Sequence, residues 1–296
     1  MTEAEGGATL AGPVPGVRRF SHAAMATTFE VHCVYDDARY AGQAAQAAFD
    51  LVDRLELELS RFVANSDVSR VNSLAAGQTT RVSPSTMECL EIARGLYDLT
   101  GRAFDVSIGS GLEALDLDAD GFAVCARADG VCLDLGGIGK GYAVDRMAEL
   151  LEEWEVSQAL VHGGFSSVLA LEAPPDREGW PLTLSAPGPG ENRVLARVAA
   201  RQRAFSASGT QKGAHILDPR TGQAAHDRAA WVALPRDAAG SPAAVAEGLS
   251  TAFMILPVED VADLCRRGPG LEAWLVREPS EGQSRAALVH LPASGV

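Results

Sequence analysis

The sequence has few cysteines and no pattern that would pair them. Its five cysteines are scattered along 296 residues, are odd in number and include no C-x-x-C pair. Neither a disulfide framework nor a zinc site is therefore predicted. We expect most of these side chains to be small buried apolar groups; they are Cys33, Cys89, Cys125, Cys132 and Cys265.

Basic charge is also scarce. The chain has 25 lysines and arginines against 39 aspartates and glutamates, which gives a net charge of −14 and a pI of about 4.8. Nucleic acids and anionic lipid surfaces both require a basic face on the protein. We therefore predict no nucleic-acid partner, and the simplest interpretation of the acidity is solubility.

The patterns of a leader segment and of a long apolar run are not visible either. Residues 1–16 contain glycine, proline and acidic residues but no basic start followed by an apolar core, and the first thirty residues offer no cysteine for a lipid. Neither a signal peptide nor a membrane span is visible. We therefore expect no membrane insertion.

Apolar residues are plentiful, at 47% of the chain, and suffice for a large core in one elaborate domain or in two lobes. Strand and helix patterns follow one another in mixed order, which favours an α+β fold over repeated β-α-β units. We predict a flexible N-terminal lead over residues 1–19 and one functional unit over residues 20–296.

Local patterns predict the main elements of that unit. Alternation predicts a strand over residues 28–35, and helical spacing predicts a helix over residues 41–59. Ser83 as N-cap and Pro84 in the first turn predict a second helix that stops at Gly101.

The second half of the chain carries similar signals. A hairpin over residues 122–133 is predicted to turn at Asp129-Gly130, and Ser241-Pro242 is predicted to start a helix. The remaining expected elements are a helix over 142–154, a strand pair over 159–171, strands between 181 and 205, and strands near 274–276 and 286–291.

The most informative stretch is Leu-Asp-Leu-Gly-Gly-Ile-Gly-Lys-Gly-Tyr-Ala-Val-Asp at residues 133–145. A buried strand start, a glycine-lined turn and a helical exit would bring bare backbone and Lys140 to a ligand. The glycine spacing is neither G-x-G-x-x-G nor that of a P-loop, so the usual nucleotide motifs are absent. The alternative interpretation is a tight strand-to-helix connection with Lys140 in solvent.

Three further segments decide between these interpretations: Gly-Arg-Ala-Phe-Asp-Val-Ser-Ile-Gly at 101–109, His-Ile-Leu-Asp-Pro-Arg-Thr-Gly at 215–222, and Ala-Glu-Gly-Leu-Ser-Thr-Ala at 246–252. Together with the lysine turn, and in this order, they resemble the ApbE-type flavin transferases, which move FMN from FAD onto a protein hydroxyl. The resemblance runs from about Met25 to near the C-terminus. It implies an ApbE-like, T-fold-related, two-lobed architecture with mixed or antiparallel sheets and packed helices.

A divalent metal site is implied by the same resemblance. Glu247 and Thr251 are four apart on a predicted helix and share a face. They match the family's metal-binding positions, and the Gly137 carbonyl matches a third ligand. Carboxylate, hydroxyl and carbonyl form a hard-oxygen set suited to Mg²⁺. Glu247 replaces the family's usual aspartate and reaches one methylene further. The alternative is a solvated helix acid beside a core threonine.

Catalytic roles are implied for His215 and Asp218. An imidazole titrates near neutral pH and suits a general base, and the resemblance assigns the base to His215. Asp218 would orient His215 or shape the turn. The alternative is a structural histidine in a strand.

Flavin contacts complete the implied site. Met25 and Phe62 match positions at the flavin or adenine rings, with Phe62 as a stacking face; the alternative is that both are core residues. The other matching positions, which line FAD or touch the nucleotide, are Ala103, Phe104, Asp105, Asp134 and Lys140. Two features depart from the family: Phe165 replaces a polar residue, and the stretch 208–215 is short.

The resemblance thus implies Mg²⁺-dependent transfer of FMN from FAD to a threonine or serine of an acceptor flavoprotein, with release of AMP. The alternative is a relative that binds flavin without transferring it, or that acts on another small molecule. Many family members are exported lipoproteins, and the missing leader therefore predicts a cytoplasmic protein.

Overall fold

The computed structural model describes residues 7–186, 193–209, 216–225, 227–277 and 287–294. Within these ranges the chain forms strands and helices in mixed order. The strands are β1 (Ala8–Leu10), β2 (Val17–Ala24), β3 (Thr27–Val34), β4 (Thr79–Arg81), β5 (Leu115–Asp118), β6 (Ala123–Ala126), β7 (Ala159–Gly163), β8 (Ser167–Ala170), β9 (Trp180–Ala186), β10 (Arg193–Ala200), β11 (Arg203–Gly209), β12 (Asp227–Pro235), β13 (Glu272–Arg277) and β14 (Ala287–Leu291). The helices are α1 (Ala38–Leu59), α2 (Asp67–Val71), α3 (Pro84–Leu99), α4 (Gly139–Glu153), α5 (Pro242–Phe253) and α6 (Val258–Arg267).

An eight-stranded antiparallel sheet forms the centre of the fold, in the order β14-β13-β12-β11-β8-β7-β3-β2. Two three-stranded antiparallel sheets accompany it, β1-β9-β10 and β4-β6-β5. The predicted α+β class with antiparallel sheets and packed helices is confirmed.

Both faces of the large sheet are covered, because side chains along a strand alternate between faces. On β12, Ala230 and Val232 join the core under the helices, whereas Trp231 and Ala233 join a second core against the β1-β9-β10 sheet. The first core also holds buried faces of α1, α3, α4 and α5. Helices α4 and α5 are thereby fixed on one face of the sheet.

Most predicted elements are present. Asp37 caps α1, and its carboxylate accepts hydrogen bonds from two first-turn N–H groups. Ser83 caps α3 by accepting from the Thr86 N–H at 3.1 Å, and Pro84 occupies the first turn, as predicted. Helix α5 begins at Pro242, also as predicted.

The hairpin predicted over residues 122–133 is wrong. The strands that pair here are β5 and β6, so the turn lies at residues 119–122. Asp129 accepts a hydrogen bond from the Ala76 N–H at 2.7 Å, and Gly130 has a φ of 77°. The Asp-Gly pair therefore lies in a loop that is hydrogen-bonded to the loop containing Ala76, and turn residues suit such a loop as well as a hairpin.

The described part of the lead predicted over residues 1–19 contains strands. Strand β1 pairs with β9, Ala8 is buried, and β2 already begins at Val17. Short strands between glycines and prolines are too brief to show a periodic pattern. They are stabilised by pairing with a strand that is distant in sequence.

Among the helices of the described ranges, none combines the length and apolar character that crossing a bilayer requires.

A buried histidine on β7 makes stability depend on pH. His162 is 6% exposed and lies beside the His32 ring, with 5.3 Å between ring centroids. Burial, together with the charge of His32, lowers the pKa of His162 to about 3, whereas an unfolded histidine titrates near 6.5. The unfolded chain therefore binds a proton that the folded chain refuses, so stability falls as pH drops below 6.5.

We expect this group to remove about 2 kcal/mol from the free energy of unfolding between pH 7 and pH 5. Urea denaturation at both pH values measures the loss, which should be absent in His162→Gln. His22→Gln, on the neighbouring strand pair, leaves His162 in place and should retain it. An equal loss in wild type and His162→Gln would contradict the assignment.

Candidate active site

A cleft of about 740 Å³ opens beside α4 and α5, a size typical of small-molecule sites. Its walls come from the turn after β2, the loop after α3, the glycine turn, the ends of β11 and β12, and one face of α5. It gathers ten residues with predicted roles: Met25, Ala103, Phe104, Asp105, Asp134, Gly137, Lys140, Asp218, Glu247 and Thr251.

The glycine turn is preorganised by Asp134. Its carboxylate accepts a hydrogen bond from the Gly136 N–H at 2.8 Å and lies 3.1 Å from Arg61 Nε. At Gly137 an added Cβ would approach the Phe104 ring to 3.2 Å. The missing side chain thus lets the Phe104 ring close over the turn.

Gly141 brings α4 and α5 into backbone contact. A Cβ at this position would lie 2.3 Å from the Ala243 carbonyl oxygen and 2.8 Å from Ala244 Cα. Its N–H donates to Glu247 Oε2 at 2.6 Å. Gly141 therefore fixes both the helix spacing and one carboxylate oxygen of the cleft.

Asp145, to which no sequence motif assigns a role, holds the start of α5. It is fully buried on α4, and its carboxylate accepts from the Ala243 and Ala244 N–H groups at 3.0 and 2.9 Å. Burial raises the pKa of Asp145 to about 7, and this effect outweighs that of the two backbone donors, which lower the pKa. Ser241 makes no capping bond with its own side chain. A cap supplied from another helix thus sets the position of α5.

Glu247 and Lys140 form an ion pair across the helix interface. Glu247 is 4% exposed, and its Oε1 accepts a hydrogen bond from Lys140 Nζ. The ammonium also donates to the Gly136 carbonyl at 3.3 Å. The alternative interpretation, which leaves Lys140 in solvent, is wrong, because this lysine neutralises a buried carboxylate.

Three hydroxyl groups link α5 to β11. Ser208 Oγ lies 2.8 Å from Ser250 Oγ and 3.1 Å from Thr251 Oγ1. Ser250 and Thr251 both donate to the Glu247 carbonyl, at 2.8 and 3.2 Å. Because the hydroxyl hydrogens of Ser250 and Thr251 are used in these bonds, their oxygen lone pairs remain free to accept another hydrogen bond. Ser208 is a contact that sequence spacing did not indicate.

Met25 reaches the cleft from a strained turn. Ala24 pairs with Thr27, so Met25 and Ala26 alone connect β2 to β3, with φ angles of 48° and 55°. Two positive φ angles are typical of a type I′ turn, where asparagine and glycine are preferred. A methionine and an alanine here are strained, and strain of this kind is typical of functional sites.

Phe62 lies outside the cleft lining. Its side chain is 82% exposed, and the Arg61 guanidinium lies over its ring at 4.7 Å. Three other apolar side chains at the cleft are half exposed: Ile108, Phe165 and Leu217. Phe165, which departs from the family pattern, offers an aromatic face that lines the cleft.

The predicted catalytic pair is only partly described. His215 lies outside the described residues. Asp218 lines the cleft, and its carboxylate accepts from the Arg220 N–H and guanidinium at 2.9 Å. Its carbonyl accepts from the Gly222 N–H at 2.7 Å. Asp218 thus shapes the turn, which was one of its two predicted roles.

The donor set fits a hard divalent cation in its chemistry. Glu247, Thr251 and Gly137 all line the cleft and offer carboxylate, hydroxyl and carbonyl oxygens. Glu247 already holds the positive charge of Lys140. No cluster of three or more histidine, cysteine, aspartate or glutamate side chains in the described segments is arranged to hold a metal ion. A metal here would therefore depend on one carboxylate and neutral oxygens.

Comparison with known proteins groups the chain with flavin transferases. The sequence profile of the ApbE family matches residues 25–275. The chain is 28% identical over 161 residues to the FAD:protein FMN transferase of Salmonella typhimurium, covering 51% of this chain and 44% of that protein. It is 26% identical over 297 residues to the FAD:protein FMN transferase of Treponema pallidum, covering 83% and 80%.

The fold agrees with these matches. The crystal structure of the Pseudomonas stutzeri flavinyl transferase ApbE, in its apo form, aligns with a TM-score of 0.79 at 25% identity and covers 95% of this chain and 98% of that one. Since the family profile spans most of the sequence and the fold matches over nearly its full length, the chain belongs to the ApbE family.

Proposed function

We propose that this chain transfers FMN from FAD to a threonine or serine hydroxyl of an acceptor protein and releases AMP, in a reaction that requires Mg²⁺. One observation carries the proposal: a single cleft gathers the glycine turn, Lys140 and the Glu247–Thr251 face of α5. Family membership and the names of the relatives support it.

The proposed reaction is a phosphoryl-group substitution. The acceptor hydroxyl oxygen attacks the phosphorus of the FMN half of FAD. A new P–O bond forms as the bond from that phosphorus to the bridging oxygen breaks, and AMP leaves with the bridging oxygen. The hydroxyl proton passes to His215 as the proposed general base.

The other residues act on charge and position. Lys140 lines the cleft, and its ammonium, which pairs with Glu247 in the absence of ligand, would neutralise pyrophosphate oxygens of bound FAD. Phe104 and the glycine turn shape the wall for the ligand. When bound, Mg²⁺ would be held by Glu247, Thr251 and the Gly137 carbonyl and would stabilise the charge on departing AMP.

FAD binding is the first expected result. The cleft volume and its exposed glycine-turn backbone suit a dinucleotide, so calorimetric titration should give near-stoichiometric binding of one FAD per chain. The absence of heat and of flavin fluorescence quenching at high micromolar FAD would end this hypothesis.

Glu247→Gln tests the metal separately from the flavin. The variant keeps the side-chain shape but removes the charge offered to the cation, so we expect Mg²⁺-dependent turnover to fall by about 100-fold. FAD affinity should change little. The exposed Glu259→Gln on α6 is the control and should behave as wild type. Equal losses of turnover and FAD affinity in Glu247→Gln would indicate a structural role instead.

The transfer itself is tested by co-expression with an acceptor carrying an Asp-Gly-x-Thr-like stretch. A fluorescent acceptor band in a denaturing gel, dependent on the chain, FAD and Mg²⁺, is the expected result. The second candidate function is flavin binding without transfer, and the Lys140–Glu247 ion pair favours it because the carboxylate already has a cation. FAD binding without any labelled acceptor would support that candidate.

A cytoplasmic location is part of the same proposal. All five cysteines are free thiols, and Cys33, Cys89 and Cys265 are buried. Unpaired cysteines are typical of reducing compartments. Cell fractionation tests this, and recovery of the chain in an exported fraction would contradict it.

A further inference from the structure

The contact that the proposed function leaves unexplained is the one between Lys140 and Glu247. The two residues are far apart in sequence and meet where α4 and α5 touch. Glu247 offers Oε1 to the Lys140 ammonium and Oε2 to the Gly141 N–H at 2.6 Å. The ammonium also contacts the Gly136 carbonyl at 3.3 Å. A compact cation thus contacts two oxygens, one of which belongs to Glu247, a predicted metal ligand.

The choice of lysine here departs from the rest of the chain. Lys140 and Lys212 are the only lysines in the sequence. The other 23 of its 25 lysines and arginines are arginines. An ammonium is a compact point charge with rotatable donors, whereas a guanidinium is a planar fork. Of the two, only the ammonium resembles a small metal cation in shape and in its demand for oxygen ligands.

A metal ion would compete with Lys140 for this carboxylate, because Oε1 accepts from Lys140 and Oε2 accepts from the Gly141 N–H. Charges a few ångströms apart repel strongly where water is limited, and Glu247 is 4% exposed. Conversely, leaving Glu247 without any cation would bury an unpaired charge, which is costly. Occupancy by lysine and by metal should therefore alternate.

We propose that Lys140 is an internal stand-in for the divalent cation, which neutralises Glu247 in the metal-free protein and is displaced when Mg²⁺ binds. The displaced ammonium then extends into the cleft, where an anionic ligand such as a pyrophosphate meets it. The proposal rests on the metal site of the proposed function and describes how that site is loaded. It makes Lys140 a positioning residue in the metal-free state and a ligand contact afterwards.

Titration of MgCl₂ alone into the full-length, metal-free chain tests the exchange. Lys140→Met removes the competing charge and keeps the aliphatic length, so Mg²⁺ should bind at least about tenfold more tightly than to wild type. Arg127→Met removes an exposed positive charge from the β5–β6 hairpin region and should leave Mg²⁺ affinity unchanged. Equal affinity in Lys140→Met and wild type, or no Mg²⁺ binding to either, would overturn the proposal.

A second measurement needs no variant and covers the case in which Lys140→Met does not fold. Wild-type protein is treated briefly with an amine-acylating reagent, with and without MgCl₂, and the peptide containing Lys140 is quantified by mass spectrometry. Because Lys212 lies on a separate peptide, the Lys140 signal is unambiguous. We expect acylation of Lys140 to rise several-fold with Mg²⁺, and an unchanged rate would overturn the exchange.

The outcome is independent of flavin transfer, since neither FAD nor acceptor is present. Mg²⁺-dependent release of Lys140 in a protein that labels no acceptor would refute the transferase and keep the exchange. Transfer with no change in Lys140 reactivity would refute the exchange and keep the transferase.

Discussion

His215→Ala is expected to slow flavin attachment to an acceptor by about 10²–10⁴-fold, the usual range for a lost general base. Folding and FAD binding should remain nearly intact, because the residues with described contacts in the cleft are unchanged. In-gel fluorescence of the acceptor over time measures the rate, and calorimetry measures FAD affinity.

His290→Ala is the control for this variant. His290 stacks on Trp274 near the edge of the large sheet and is not among the residues that line the cleft. It should label the acceptor at the wild-type rate. A wild-type rate in His215→Ala would remove His215 from the mechanism, and a matching loss of FAD affinity would assign it a binding role.

Gly141→Ala is expected to destabilise the protein by about 1–3 kcal/mol, as overpacking does in a close-packed interior. The new Cβ would meet three backbone atoms of α5 at 2.3 to 2.8 Å, and backbone is unable to rotate away. Intrinsic helix propensity favours alanine over glycine by roughly 1 kcal/mol, so the expected sign opposes propensity. The shift of α5 should also move Glu247 and weaken FMN transfer.

Gly95→Ala is the matched control on α3. Gly95 is exposed, and an added Cβ there meets nothing within 4 Å. Only propensity acts at this site, so the variant should be slightly more stable than wild type. Urea denaturation compares the two variants. A Gly141→Ala protein as stable as Gly95→Ala would show that α4 and α5 are not in the close contact described.

Local features of the fold were predictable because short-range chemistry determines them. Ser83 and Pro84 start α3, and Pro242 starts α5, since caps and first turns depend on the adjacent residues. The hairpin predicted at Asp129-Gly130 was wrong because local chemistry determines a turn but not the strands beside it. An Asp-Gly pair favours a turn but does not say which strands it joins.

The sequence predicted which residues line the site but not how they contact one another. Motifs that match a family in order place Asp134, Lys140 and Glu247 at one cleft, and these residues do line it. Their mutual contacts were not predictable, because Lys140 and Glu247 belong to different helices and no spacing rule connects them. The role of Asp145 was not predictable for the same reason, because it lies on α4 and accepts from the Ala243 N–H in the first turn of α5.

The packing role of Gly141 was not predictable, because the predicted helix over residues 142–154 excludes it, whereas α4 already begins at Gly139. Glycine within a helix lowers stability, so its presence there indicates close packing or a functional need. Phe62 shows the opposite limit. A position that matches an aromatic contact in relatives gives residue type but not side-chain direction, and here the ring is exposed beside Arg61.

The most direct test of the proposed function is the stoichiometry of products. Purified chain, FAD, MgCl₂ and acceptor are incubated together, AMP is quantified by chromatography, and FMN attached to the acceptor is quantified by intact-protein mass spectrometry. Transfer predicts one AMP released for each FMN attached to a threonine or serine, with no free FMN. AMP released together with free FMN and an unlabelled acceptor would show hydrolysis instead of transfer, and FAD recovered unchanged would show a protein that binds flavin without catalysis.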